Sequence, residues 1–104
     1  MLTTDQKGSI AEASIAAKAI KLGIEVYKPL IGGCRTDLIF GVGRHLLRVQ
    51  CKWAARHGDV LTIRCYSSRR TRSGLVKRGY NADEVDVIAA YCMTIDRCFA
   101  LPPE

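Results

Sequence analysis

Several things are scarce in these 104 residues. No stretch approaches the roughly 18 consecutive apolar residues of a transmembrane helix, which excludes a helical membrane protein. The opening MLTTDQKGSIAEAS lacks the basic start, apolar run and small-residue cleavage site of a secretory leader, so an intracellular, cytoplasmic setting is expected. Five cysteines are too odd a number, and the setting too reducing, for a disulfide framework, so free thiols are expected. Cys34, Cys51, Cys65, Cys92 and Cys98 contain no C-x₂₋₄-C pair, and His45 and His57 match no ligand spacing, which argues against zinc. Internal repeats and low-complexity tracts are also missing. The remainder is a single soluble domain spanning 1–104, with a core that can only be modest at this size.

The scarcity that says most is of acids in the middle of the chain. Residues 44–78 hold ten basic side chains (Arg44, Arg48, Lys52, Arg56, Arg64, Arg69, Arg70, Arg72, Lys77, Arg78) against Asp59 alone. The first 43 residues are nearly balanced, and residues 79–104 set five acids against Arg97. The formal charge of +6 thus averages over three unlike segments. So much positive charge in one third of a chain repels itself unless a polyanion or counter-ions offset it. Nucleic-acid phosphates, or an anionic membrane surface, are the chemistry it fits. Six of the ten lie between Arg64 and Arg78 among Ser67, Ser68, Thr71, Ser73, Gly74 and Gly79, a composition expected of an exposed, mobile loop.

The rest of the pattern is a helix followed by strands. Thr3 and Gln6 form a capping box for a helix over 4–22, with Ile10, Ala13, Ala17 and Ile20 as its apolar positions and Gly23 at its end. From Glu25 the period changes to two, and strands are expected at 24–28, 36–40, 45–53 and 60–66. The turn signals between them are Pro29 with Gly32-Gly33, Gly41 with Gly43, and Gly58-Asp59. The tail is read as two further strands, 85–92 and 97–101. The fold class is α+β, an N-terminal helix leading into a mainly antiparallel mixed sheet.

Four residues stand out against this frame. Alternation places Leu47, Val49, Cys51 and Trp53 on one face of the third strand and Arg48, Gln50 and Lys52 on the other. Asp37 is a carboxylate inside the apolar run TDLIF, costly near a core unless paired or holding a metal. Glu12 lies between Gly8 and Ala16, a stripe of small residues that would let the helix approach the sheet and aim the carboxylate inward. Two carboxylates, a carboxamide and a lysine are the parts that phosphodiester hydrolysis needs: hard oxygens for a Mg²⁺ and an ammonium for the developing charge. Each also has a plainer reading. Asp37 can pair with Arg35 or Lys52, Glu12 can be a solvated helix residue, and Lys52 can belong to a basic face with Arg48.

Asp37, followed on the next strand by Gln50-Cys51-Lys52, resembles the PD-(D/E)XK nuclease signature. Glu12 matches the acidic residue that many members carry on the first helix. Within that superfamily the chain looks most like the group I intron-encoded homing endonucleases, which share the opening KGSIAEASIAAKAIKLGIEVYKP, the TDLIF strand, the Q-x-K strand and a tail like DVIAAYCMTIDRCFALP. It departs in having no proline before Asp37 and in carrying Gln50 where Asp or Glu is usual.

The resemblance implies a restriction-endonuclease-like core and a Mg²⁺-dependent endonuclease, with Mn²⁺ as a substitute, hydrolysing phosphodiester bonds in double-stranded DNA at specific sites. Glu12, Asp37, Gln50 and Lys52 would be catalytic. The metal would sit on Asp37, Glu12, Gln50 and the main-chain carbonyl of Cys51. DNA would be gripped by Arg48, Arg64, Arg69, Arg70, Arg72, Lys77 and Arg78. A homo-oligomer, dimer or tetramer, is implied, as is a nucleoid-associated place in a prokaryotic or phage-like setting. The alternatives are a Holliday-junction (four-way) resolvase of the same superfamily and a non-catalytic DNA-binding module on this fold, the latter kept open by Gln50.

Overall fold

The computed structural model describes residues 1–63, 66–71, 74–79 and 84–103, with the backbone alone for 66–71 and 74–79. Helix α1 spans Thr4–Lys21. The Thr3 hydroxyl accepts the Gln6 N–H at 3.1 Å and Gln6 Oε1 accepts the Thr3 N–H at 2.8 Å, which closes the capping box. At the other end Gly23 N–H donates to Ile20 and Ile24 N–H to Ala19, each at 3.0 Å. With Gly23 at φ +83°, this is a Schellman stop that only an unbranched backbone enters without strain.

The helix buries Ala11, Ile15 and Ala19, with Ile10 and Ala16 beside them. The expected stripe is thus rotated: Ala13 and Ala17 are exposed, and Ile20 is 61% exposed. Alanine methyls differ too little from face to face to mark the buried one, so the sheet decides it. Nor does Gly8 permit the close approach, because a Cβ there would meet nothing within 4 Å. Ala11 and Ala19 are the small residues at the contact.

Among the described residues eight strands follow: β1 (Glu25–Tyr27), β2 (Leu38–Val42), β3 (His45–His57), β4 (Val60–Ile63), β5 (Tyr66–Thr71), β6 (Gly74–Gly79), β7 (Val87–Cys92) and β8 (Arg97–Leu101). The main sheet runs β1-β2-β3-β7-β8, with β4 paired to the second half of β3. β3 and β7 run parallel, while the other described pairs are antiparallel. Two-residue turns at Gly43-Arg44 and Gly58-Asp59 join β2 to β3 and β3 to β4. Each has positive φ at its glycine (+60° and +63°), the first-position glycine of a type II′ hairpin.

The sheet is apolar on both faces. Against α1 lie Leu38, Val49, Ala89 and Tyr91, flanked by Cys51 and Trp53. On the opposite face Ala54, Ala90 and Cys92 pack with Leu61, Ile63, Ile95 and Phe99. β7 is covered on both sides, which explains why VIAAYC is an unbroken apolar run rather than an alternating one. Trp53 meets Tyr91 edge to face at a 6.3 Å centroid distance, with the Lys7 ammonium 5.9 Å from the centre of its ring. The four described cysteines, Cys34, Cys51, Cys92 and Cys98, are free thiols.

The basic segment departs most from expectation. An antiparallel ladder, β5 with β6, runs from Tyr66 opposite Gly79 to Thr71 opposite Gly74, where a loop was expected. Serine and arginine carry no apolar alternation, so nothing in the sequence announces a strand there, and the backbone ladder forms regardless. Arg64 and Arg72 lie outside the described residues. Among the described residues no helix is long and apolar enough to cross a membrane.

Candidate active site

Asp37 stands one residue before β2 and is clipped to β3 twice. Its N–H donates to the Val49 carbonyl and its Oδ2 accepts the Cys51 N–H, both at 2.9 Å. These two bonds bracket Gln50, and the β2–β3 register (Leu38 opposite Val49) sets Asp37 across from it. The half-buried carboxyl is held above its ordinary value, chiefly because burial removes water from the charged form and then because Glu12 repels it. The Cys51 N–H, Lys52 and Lys28 act in the opposite direction. Neighbouring Cys51 has its thiol pushed strongly upward by burial and by the Asp37 and Glu12 carboxylates, so it stays a neutral –SH.

Glu12 reaches the same spot from α1. Its Oε1 is 2.7 Å from Lys28 Nζ. Glu12, Lys28 and Asp37 together line a cleft of ≈ 280 Å³ walled by the loop Pro29–Cys34 and Thr36. Lys28 escaped the sequence reading, although a signal existed. Val26 packs on the helix side of the sheet, and the residue two further on shares that side.

Gln50 and Lys52 are half-buried on β3. Gln50 Oε1 is buried without a hydrogen-bond partner, an arrangement native proteins rarely leave unless something else satisfies the oxygen. Among the described residues no three His, Cys, Asp or Glu side chains cluster tightly enough to hold a metal. A cation in the cleft would draw on the Glu12 and Asp37 carboxylates that line it and on neutral oxygens; Gln50, across the register from Asp37, is not among the residues lining that cleft. That all-oxygen set fits a hard, partly hydrated divalent ion.

The sequence signature of the PD-(D/E)XK endonucleases matches residues 2–104. The chain belongs to the PD-(D/E)XK endonuclease family. Among solved structures it resembles a bacterial homing endonuclease, I-Ssp6803I, with a TM-score of 0.85 at 28% identity over 98% of this chain and 70% of that one. No curated protein matches it in sequence. Membership makes the chain a nuclease by family, and PD-(D/E)XK nucleases generally work with divalent metal ions.

Two of the arginines singled out in the sequence pair with other carboxylates. Arg35, the partner considered for Asp37, has its Nε 2.6 Å from Glu84 Oε2. Arg48, expected to face DNA, is forked onto Asp86: Nε to Oδ2 at 3.1 Å and Nη2 to Oδ1 at 3.2 Å. Asp86 also accepts the Arg48 N–H at 2.8 Å and returns its own N–H to the Arg48 carbonyl at 2.9 Å. These bonds hold the Asp86 carboxyl below its ordinary value. They tie the start of β7 to β3, a partnership 38 residues apart in sequence that no local pattern reveals.

Proposed function

We propose that this chain is a divalent-metal-dependent endonuclease that cuts duplex DNA with the site preference of a homing enzyme. The observation that carries the reading is the unpartnered buried Gln50 Oε1 on β3, across the register from Asp37, in a family whose chemistry needs a cation. Glu12, Asp37, Gln50 and the main-chain carbonyl of Cys51 would hold Mg²⁺ or Mn²⁺. When bound, the ion polarises the phosphoryl oxygen and lowers the pKa of a coordinated water.

The chain's own groups have separate tasks. The clip to Cys51 N–H holds the Asp37 carboxylate in one orientation, which leaves its second oxygen for the cation. Gln50 supplies a neutral oxygen, so the site carries one negative charge fewer than a three-carboxylate set. Lys52, whose charge already acts on Asp37, offsets the charge that develops on the scissile phosphate and orients the attacking water. Arg69, Arg70, Lys77 and Arg78, on the two strands of the β5–β6 hairpin, with Arg64 and Arg72, grip the phosphate backbone of the duplex. The protein acts in the cytoplasm as a homo-oligomer, whose copies together read a longer site than one such domain spans.

Incubation with supercoiled plasmid and Mg²⁺ tests this. Wild type nicks or linearises the plasmid, while Asp37→Ala and Lys52→Ala each slow cleavage by at least about 100-fold. If both variants match wild type, or if none of the three cuts, the proposal fails. Cleavage of a four-way junction but not of linear duplex would make the protein a resolvase instead.

A further inference from the structure

Lys28 has no part in the scheme above, yet it touches it. Its ammonium lies 2.7 Å from Glu12 Oε1, on the wall of the cleft that Asp37 also lines. Its charge reaches Asp37 as well. It stands one residue past β1, directly before Pro29, so the backbone on its far side is fixed in φ. The side chain is 71% exposed, whereas Glu12 is only 27% exposed. The ammonium therefore enters from solvent, and the carboxylate it meets points into the cleft.

We infer that Lys28 is the counter-ion of the metal-free site, a positioning residue that holds Glu12 in the cleft and gives it up when a divalent cation arrives. This rests on the metal-binding reading above. Two carboxylates facing one cleft repel each other, and without a cation one of them would swing to water. Lys28 neutralises Glu12 in place, so Glu12 is already near its working position when the cation enters. The same ammonium then competes with the cation for one carboxylate oxygen, which sets a ceiling on metal affinity. A solvent-exposed ammonium on a flexible stem leaves readily, because its hydration replaces the ion pair at little cost.

The consequence is a crossing pattern that a merely structural salt bridge does not produce. In metal-free buffer Lys28→Met lowers the melting temperature by about 1–4 °C, as two carboxylates lose their counter-ion. At saturating Mg²⁺ the gap closes. Calorimetric titration of the DNA-free protein with Mn²⁺ gives a dissociation constant about 3–10-fold tighter for Lys28→Met than for wild type. Lys28→Arg, which keeps the charge, stays within about 2-fold of wild type in both measurements. A melting gap that is the same with and without Mg²⁺, or Mn²⁺ affinity unchanged or weakened in Lys28→Met, overturns the inference while leaving the metal site standing. Wild type that binds no Mn²⁺ and gains no stability from Mg²⁺ overturns both.

Discussion

Asp37 and Asp86 flank β3 in matching ways. Each stands one residue before the strand that pairs with β3 on its side, β2 or β7. Each donates its N–H to a β3 carbonyl and accepts a β3 N–H on its carboxylate. Beyond that they diverge. Asp86 receives a guanidinium fork from Arg48, and its carboxyl is held low. Asp37 receives no such fork, is half-buried, faces Glu12, and its carboxyl is held high. The backbone clip only places the group; what stands next to it decides whether the carboxylate is consumed by an ion pair or left facing the cleft.

Exchanging each carboxylate for a carboxamide breaks the comparison most sharply. Asp37→Asn keeps an oxygen for the Cys51 N–H and loses the charge. It should lower cleavage by at least about 100-fold while leaving the melting temperature equal or raised by about 1–4 °C. Asp86→Asn should do the reverse, dropping the melting temperature by roughly 4–8 °C and leaving cleavage per folded molecule within about 3-fold. Paired thermal denaturation and cleavage assays decide it, and two variants with the same profile would erase the distinction.

Acid should separate the two residues next. The lowered pKa of Asp86 means that its contribution to stability is complete above the ordinary aspartate value and disappears only as pH falls through a lower one. The raised pKa of Asp37 works the other way. Its ionised form costs folding free energy, the cost is relieved on acidification, and the carboxylate proposed to bind the metal is neutralised at a pH above the usual aspartate range. On lowering the pH, cleavage and Mg²⁺ binding should therefore be lost before the far-UV circular dichroism changes. Loss of both at one pH would refute this order.

The smallest expected effect comes from Gln50→Glu, which adds a third carboxylate beside Asp37. The Mg²⁺ concentration for half-maximal cleavage should fall by about 3–10-fold, and the metal-free protein should melt about 1–4 °C lower. A higher Mg²⁺ requirement would show that Gln50 does not face the cation.

Much of this was readable from residue order. Thr3, Gln6 and Gly23 delimit the helix through local backbone bonds, and Gly43 and Gly58 turn the hairpins by local conformational freedom. Asp37, Gln50 and Lys52 stand out because a carboxylate in TDLIF and a polar alternation in RVQCK break the apolar pattern of their strands. What stayed hidden depends on distant partners or on weak contrast. The buried face of an alanine-rich helix is chosen by the sheet, the Arg48–Asp86 fork joins residues 38 apart, and Lys28 shows its role only once Glu12 is beside it. The β5–β6 ladder arises in a run of Ser, Arg and Gly whose side chains give no periodic signal.

A parallel pair of strands cannot be joined by a tight turn; the chain must travel back to the starting edge. Between β3 and β7 that return path holds β4 and the β5–β6 hairpin where many proteins place a helix. Doubling the length of such a connection costs only about 0.6 kcal/mol of closure entropy. Glu12, Lys28, Asp37, Gln50 and Lys52 all precede it in the chain. Evolution, or an engineer, can accordingly swap, extend or recharge the hairpin as an interchangeable cassette and leave the candidate-site residues untouched.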